Sequence, residues 1–195
     1  MKCMALAGAL AFPAGWARAE SAPRYGHKGY AEASPATLAD AGLYRDTGRQ
    51  VKLCAPAARA FVRMTEAARE AGVGIVPISG FRSVAYQKTL FDRAVKRYGS
   101  ERGAARWVAP PGHSEHATGL ALDVGDASRR DTDVEQSFKS TPAARWLATH
   151  AARFGFELSF PPDNPQGVQH EPWHWRFVGT DEAQLLFHPG PPKKL

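Results

Sequence analysis

Cysteine is nearly absent from this 195-residue chain, which has only Cys3 and Cys54. If the N-terminal segment is removed, as argued below, a single cysteine remains and no internal disulfide can staple the fold. Cys54 then reads as a small buried hydrophobe. Other signatures are missing too. There is no His-Glu-x-x-His helix motif and no glycine elbow around Ser114, so that serine is a poor nucleophile. Internal repeats are absent. The 25 Lys and Arg against 19 Asp and Glu give a net charge of +6, but the basic residues are scattered. Without a basic stripe or a recognisable module, nucleic acid is excluded as the expected partner. The one long apolar stretch, Cys3 to Trp16, is too short and too broken by Pro13 and glycines to span a bilayer.

That stretch has another reading. Met1-Lys2 precedes it and Ala17-Arg18-Ala19 follows, which is the pattern of a secretory signal peptide cleaved before Glu20. Cys3 precedes the apolar core instead of following it, so no lipid anchor is expected. The chain should be exported to the periplasm, cell wall or medium, without a stable membrane attachment and as a monomer. Loss of Lys2 and Arg18 lowers the charge from +6 to +4, a modest excess that suits an anionic polymer among many other partners. The remaining residues suffice for one domain with a substantial core. We expect an arm over 20–50, the main domain over 51–188 and a frayed tail over 189–195.

Two segments carry the chemistry. Ser114 to Asp123 reads Ser-Glu-His-Ala-Thr-Gly-Leu-Ala-Leu-Asp, and Glu171 to His174 reads Glu-Pro-Trp-His. Among their side chains are two imidazoles, His116 and His174, and the carboxylates of Asp123 and Glu171, the inventory of a catalytic zinc site with three ligands, an open position and a carboxylate left as base. On one helix His116 and Asp123 would lie about 10 Å apart along the axis, too far for ligands about 2 Å from one metal. Gly119 also disfavours a helix there. Gly119 to Val124 alternates as a strand instead, with Leu120, Leu122 and Val124 on one face and Ala121 and Asp123 on the other. Trp173 to Val178 alternates likewise, with Trp173, Trp175 and Phe177 opposite His174 and Arg176. Glu171, where the loop enters this strand, can hold and deprotonate a water while His174 binds the metal. Any zinc site here must be built on a sheet.

The pattern Ser-x-His-x-x-Gly-x-Ala-x-Asp followed by Glu-x-x-His resembles the zinc D-Ala-D-Ala carboxypeptidases of the vancomycin-resistance type. That group is related in fold to the D-Ala-D-Ala dipeptidases and the hedgehog zinc domain. The likeness runs from about Gly26 to Phe187, through Ile78-Ser79-Gly80-Phe81-Arg82-Ser83, Tyr86-Gln87, Pro111-Gly112-His113 and Trp175-Arg176-Phe177-Val178-Gly179. His113 departs from the small or polar residue usual at its position and leaves an extra imidazole near the metal. The resemblance implies Zn2+ held by His116, Asp123 and His174, with Glu171 as general base. It implies Arg82 on the oxyanion or the substrate, and Ser114 and Gln87 lining the pocket. Peptidoglycan stem peptides would be the substrates, cut at a terminal D-Ala-D-Ala.

Alternatives of the same fold are an L,D-carboxypeptidase or an endopeptidase. A carboxypeptidase needs a partner for the terminal carboxylate, for which Arg82 and Arg176 are candidates. A different class is a non-catalytic, zinc-stabilised binding module. Among the other histidines, His170 is the expected replacement should His174 not be a ligand.

The rest of the chain supplies an α+β fold, a mostly antiparallel sheet carrying the zinc site and flanked by helices. Helices are expected over 57–71, with Pro56 in the first turn and Gly72 past the end, from the Ser83 cap to Tyr98, after Thr141-Pro142, and over 181–187. Strands are expected over 74–79 and 156–160. Residues 20–50 should form an irregular arm, 99–118 a Gly/Pro-rich loop, and 125–140 a polar surface excursion.

Overall fold

The computed structural model describes residues 22–45 and 47–189. The expected signal peptide and the tail beyond Pro189 lie outside the described residues. Among those described, no helix is long and apolar enough to cross a membrane.

Alternating segments become an antiparallel sheet. Its strands are β3 (Ile75–Ser79), β4 (Ala121–Asp126), β6 (His174–Phe177) and β5 (Phe156–Leu158), in the spatial order β3-β4-β6-β5. The register places Asp123 opposite both Ser79 and His174, and Arg176 opposite both Ala121 and Glu157. Directly opposed residues project to the same face. One face therefore carries Ser79, Asp123, His174, Arg176 and Glu157. The other carries Leu122, Val124 and Trp175, which join Phe61, Met64, Phe156, Phe177 and Phe187 in the main core.

Helix α1 (Ala55–Glu70) covers that core with Ala57, Ala60, Phe61, Met64 and Ala68 buried at three- and four-residue spacing. Pro56 sits in its first turn as expected. Helix α2 (Val84–Tyr98) starts at the expected cap, where the Ser83 hydroxyl accepts from the Tyr86 N–H at 3.1 Å. Thr141 caps α4 (Pro142–His150) in the same way, and α5 (Asp181–Phe187) closes the fold. Phe91 and Ala94 of α2 pack with Ala104 and Ala105 into a smaller apolar cluster separate from the main one.

Three local expectations are corrected. The arm contains β1 (Leu38–Leu43), paired antiparallel with β2 (Gln50–Cys54), and Tyr30, Ala33 and Ala41 from it are buried in the core. The strand escapes pattern reading because its register shifts between Asp40 and Gly42, which breaks the alternation. The 99–118 segment holds a helical turn, α3 (Glu101–Ala104), and a 3₁₀ turn over Glu115–Thr118. Residues 125–140 are no mere surface excursion: β4 extends to Asp126, and Thr132 and Phe138 are fully buried.

Candidate metal centre

The polar sheet face would be costly to bury unpaired, and the 3₁₀ turn Glu115–Thr118 folds over it. Two glycines let that turn approach. Gly119 ends it at φ 67°, and a Cβ there would lie 2.9 Å from the Cys54 sulfur and 3.1 Å from the Cys54 nitrogen. Gly80, just after β3, sits where a Cβ would meet the Lys52 carbonyl oxygen at 2.3 Å. The Gly80 carbonyl is thereby brought to His116, whose Nδ1 donates to it at 2.7 Å.

That bond fixes the chemistry of His116. A carbonyl can only accept, so Nδ1 carries the proton and Nε2 presents a lone pair. Burial, with Arg82 nearby, also holds His116 in its neutral form. Yet Nε2 lies 3.3 Å from Asp123 Oδ2, an acceptor facing an acceptor. Across the sheet, His174 Nδ1 lies 3.0 Å from Asp123 Oδ1, while its Nε2 faces Glu115 Oε2 at 3.1 Å. The ligand atoms of His116, Asp123 and His174 all lie within 4.8 Å of one another. Two imidazole nitrogens and a carboxylate converging in this way suit a divalent cation, and N/O donors of this kind suit zinc.

The electrostatics agree. Burial alone would raise the Asp123 carboxyl, but the His174 imidazole, 3.0 Å away at Nδ1, holds it well below the usual carboxylate range. Burial opposes the charge on His174, but its bonds to Asp123 and Glu115 push it up to about 10. Glu171 sits 3.9 Å from His174 Nδ1, and burial, with Asp123 and Glu115 close by, pushes its carboxyl up to about 8. A carboxyl that titrates near neutrality is suited to proton transfer.

The remaining expected residues fall around this centre. Arg82 Nη1 donates to Gln87 Oε1 at 3.0 Å and Nη2 to Ser79 Oγ at 3.1 Å, and Nη2 lies 3.5 Å from Asp123 Oδ2. Gln87 is buried and donates to the Ala109 carbonyl at 2.7 Å, so it buttresses Arg82 as well as lining the pocket. Ser114 precedes the 3₁₀ turn, and its hydroxyl makes no capping bond; it lines the pocket, as does the extra imidazole of His113. His170 is not among the residues whose ligand atoms converge, and His174 is.

Two residues differ from expectation. Arg176 is not available for a substrate carboxylate, because its Nη1 donates to Glu115 at 2.7 Å and its Nε to Glu157 at 2.6 Å. Glu115 was missed. It is fully buried, accepts from Arg176, from Ser159 Oγ at 2.6 Å and from His174, and orients the ring of that histidine. Burial would raise its carboxyl, but the Arg176 guanidinium and the His174 bond hold it well below the usual range. The signal in the sequence was an acid beside a candidate ligand, with an arginine two residues after another.

His116, Asp123, His174, Arg82, Gln87, Ser114 and Glu171 all line one cavity of about 340 Å³. It runs between the main sheet and α2. Comparison with known proteins places this arrangement among relatives. The family model described as VanY, D-alanyl-D-alanine carboxypeptidase, matches residues 44–180. A D-alanyl-D-alanine carboxypeptidase of Enterococcus faecalis is 36% identical over 135 residues, which is 64% of this chain and 48% of that protein. The chain spans about half the length of the curated relatives it matches. Among solved structures, the LdcB LD-carboxypeptidase aligns with a TM-score of 0.69 at 32% identity, covering 80% of this chain and 74% of that one. A variant of the vancomycin-resistance D,D-pentapeptidase VanY in complex with Zn(II) aligns with a TM-score of 0.58 at 30% identity, covering 75% and 84%.

Proposed function

The chain belongs to the VanY family of D-alanyl-D-alanine carboxypeptidases, and from that premise we propose that it is a zinc-dependent carboxypeptidase acting on peptidoglycan stem peptides that end in D-Ala-D-Ala. The observation that carries this reading is the convergence of His116, Asp123 and His174, with their ligand atoms within 4.8 Å, beside the buried carboxyl of Glu171, 3.9 Å from His174 Nδ1. A purely structural zinc would close its coordination with protein and would need neither Glu171 nor Arg82.

Zn2+ held by His116 Nε2, Asp123 and His174 Nδ1 would supply Lewis acidity for the scissile carbonyl and the attacking water. The side chains do the rest. Glu171 takes the proton from the water and passes it to the leaving amine, and a nearby cation favours its ionised form for the first of these steps. Arg82 is permanently charged and held by Ser79 and Gln87, with further N–H donors left for an oxyanion or a terminal carboxylate. Ser114 and Gln87 line the pocket in which the peptide is oriented. The Gly80 carbonyl and Glu115 fix the ring orientations of the two histidines. The Met1 to Ala19 pattern supports action outside the cytoplasmic membrane, where such peptides are found.

An L,D-carboxypeptidase is the second reading, favoured by the structural likeness to LdcB. Mass spectrometry separates the two. The zinc-loaded protein should remove one alanine from muropeptides ending in D-Ala-D-Ala and leave tetrapeptides intact. Cleavage of the tetrapeptide alone would establish the second reading. No cleavage of either, or of cross-linked dimers, would leave a non-catalytic binding module.

A further inference from the structure

The cavity does not end at the metal centre. It continues along α2, where Gln87, Leu90, Arg93, Ala94, Arg97 and Tyr98 line one wall and Trp107 and Val108 stand at the far end. These α2 positions recur at the spacing of one helix face. Among the described residues, Arg93 and Arg97 have neither a hydrogen bond nor an ion pair. Arg97 only lies over the Tyr98 ring, 5.4 Å from its centroid. The nearest acids in sequence are committed elsewhere: Asp92 to Lys88 at 2.7 Å, and Glu101 to Arg24 and to Tyr25. Tyr98 and Trp107 stack with centroids 6.2 Å apart and planes at 10°, yet both remain exposed, at 37% and 40%. Two uncommitted guanidinium groups facing a cavity beside an open aromatic platform form a site for an anion attached to a larger body.

Length tells where that anion sits. From Gln87, which braces Arg82, the helix rises about 9 Å to Arg93 and about 15 Å to Arg97 at about 1.5 Å per residue. An extended peptide covers about 3.3–3.6 Å per residue, so this is a reach of roughly two and a half to four and a half residues. Resting on the peptidase reading above, we propose that Arg93 and Arg97 bind a free carboxylate of the substrate two to four residues before the scissile bond, with the Tyr98–Trp107 platform under the segment beyond it. The enzyme thus prefers acidic peptides and reads them well upstream of the terminal residue. A γ-linked glutamate, whose α-carboxylate stays free, satisfies that requirement, as does the second carboxylate of a diamino diacid.

The test compares kcat/KM of the zinc-loaded protein on Ala-γ-D-Glu-Lys-D-Ala-D-Ala and on the same peptide with the glutamate α-carboxylate amidated, plus a third peptide in which meso-diaminopimelate replaces lysine beside the amidated glutamate. The expected ratio of free to amidated peptide is about tenfold, as for a charge-assisted hydrogen bond, and it should fall to near one in R93Q/R97Q. Recovery by the third peptide would assign the diamino diacid as the source of the carboxylate. A ratio near one in the unmodified protein for every carboxylate tested would overturn the subsite while the peptidase stands, as would a tenfold ratio that persists in R93Q/R97Q. If no peptide is cleaved, the peptidase reading fails. The subsite is then judged by titrating Ala-γ-D-Glu-Lys and its amide against the protein's tryptophan fluorescence, with W107F as control. A Trp107-dependent change at lower concentration of the acid than of the amide supports it, and equal binding overturns it.

Discussion

Glu115→Ala should cost more than any other single carboxylate change in this protein. The residue is 3% exposed and its side chain accepts from Arg176 at 2.7 Å, Ser159 at 2.6 Å and His174 at 3.1 Å. Removing it strands three buried donors. Arg176 keeps Glu157 as a second partner, which moderates the loss, but that partner is one-third exposed. Breaking a buried pair by deleting one member costs about 3–5 kcal/mol. For a domain of this size each kcal/mol is worth about 2–4 °C, so the melting temperature of the metal-free protein should fall by about 6–20 °C. Glu115→Gln keeps the volume and one acceptor and should lose less. His174 also loses the acceptor that aims its ring, so zinc affinity should drop about 10- to 100-fold. Scanning calorimetry in chelator and zinc competition with a chromophoric chelator measure the two effects. A melting temperature within 2 °C of the parent, with unchanged zinc affinity, would refute the role assigned to Glu115.

Three further outcomes follow. Glu171→Gln should retain zinc and fold while losing about 10²- to 10⁴-fold in kcat; full turnover would remove Glu171 from the mechanism. Without metal, His174 holds its proton up to about 10 against an ordinary 6.5. Its contribution to stability is thus present below pH 6.5 and lost as pH rises through about 10. Zinc must displace that proton, so affinity should rise about tenfold per pH unit near neutrality, and calorimetry in buffers of different ionisation enthalpy should detect the release; affinity independent of pH would contradict the assignment. Gly119→Ala forces a Cβ at φ 67° to within 2.9 Å of Cys54 Sγ. It should lower stability by about 1–3 kcal/mol and loosen zinc with it, and a melting curve unchanged from the parent would contradict that.

Parity made the centre legible. Leu122 and Val124 inward, with Asp123 outward, and the Trp173 to Phe177 alternation around His174, put each candidate ligand on the polar face of its own strand, and the register sets the two side by side. Arg82, Gln87 and Ser114 were reached only through the motif they share with a family. Spacing alone carries no information on a side chain that meets the site across a turn. What stayed hidden depends on tertiary contact. The strand Leu38–Leu43 has a bulge where its pattern should repeat, and Phe138 is an isolated aromatic in a charged segment whose burial only the packed core reveals. Glu115 and Arg176 lie 61 residues apart, and each alone resembles an ordinary surface charge.

The most direct measurement is a titration of the chelator-stripped protein with zinc while D-alanine release from an acyl-D-Ala-D-Ala pentapeptide is followed. Activity should rise linearly and break at one equivalent, with no release in H116A or D123A at the same zinc concentration. Release by the stripped protein, or undiminished release by those variants, would contradict a catalytic metal held by His116, Asp123 and His174.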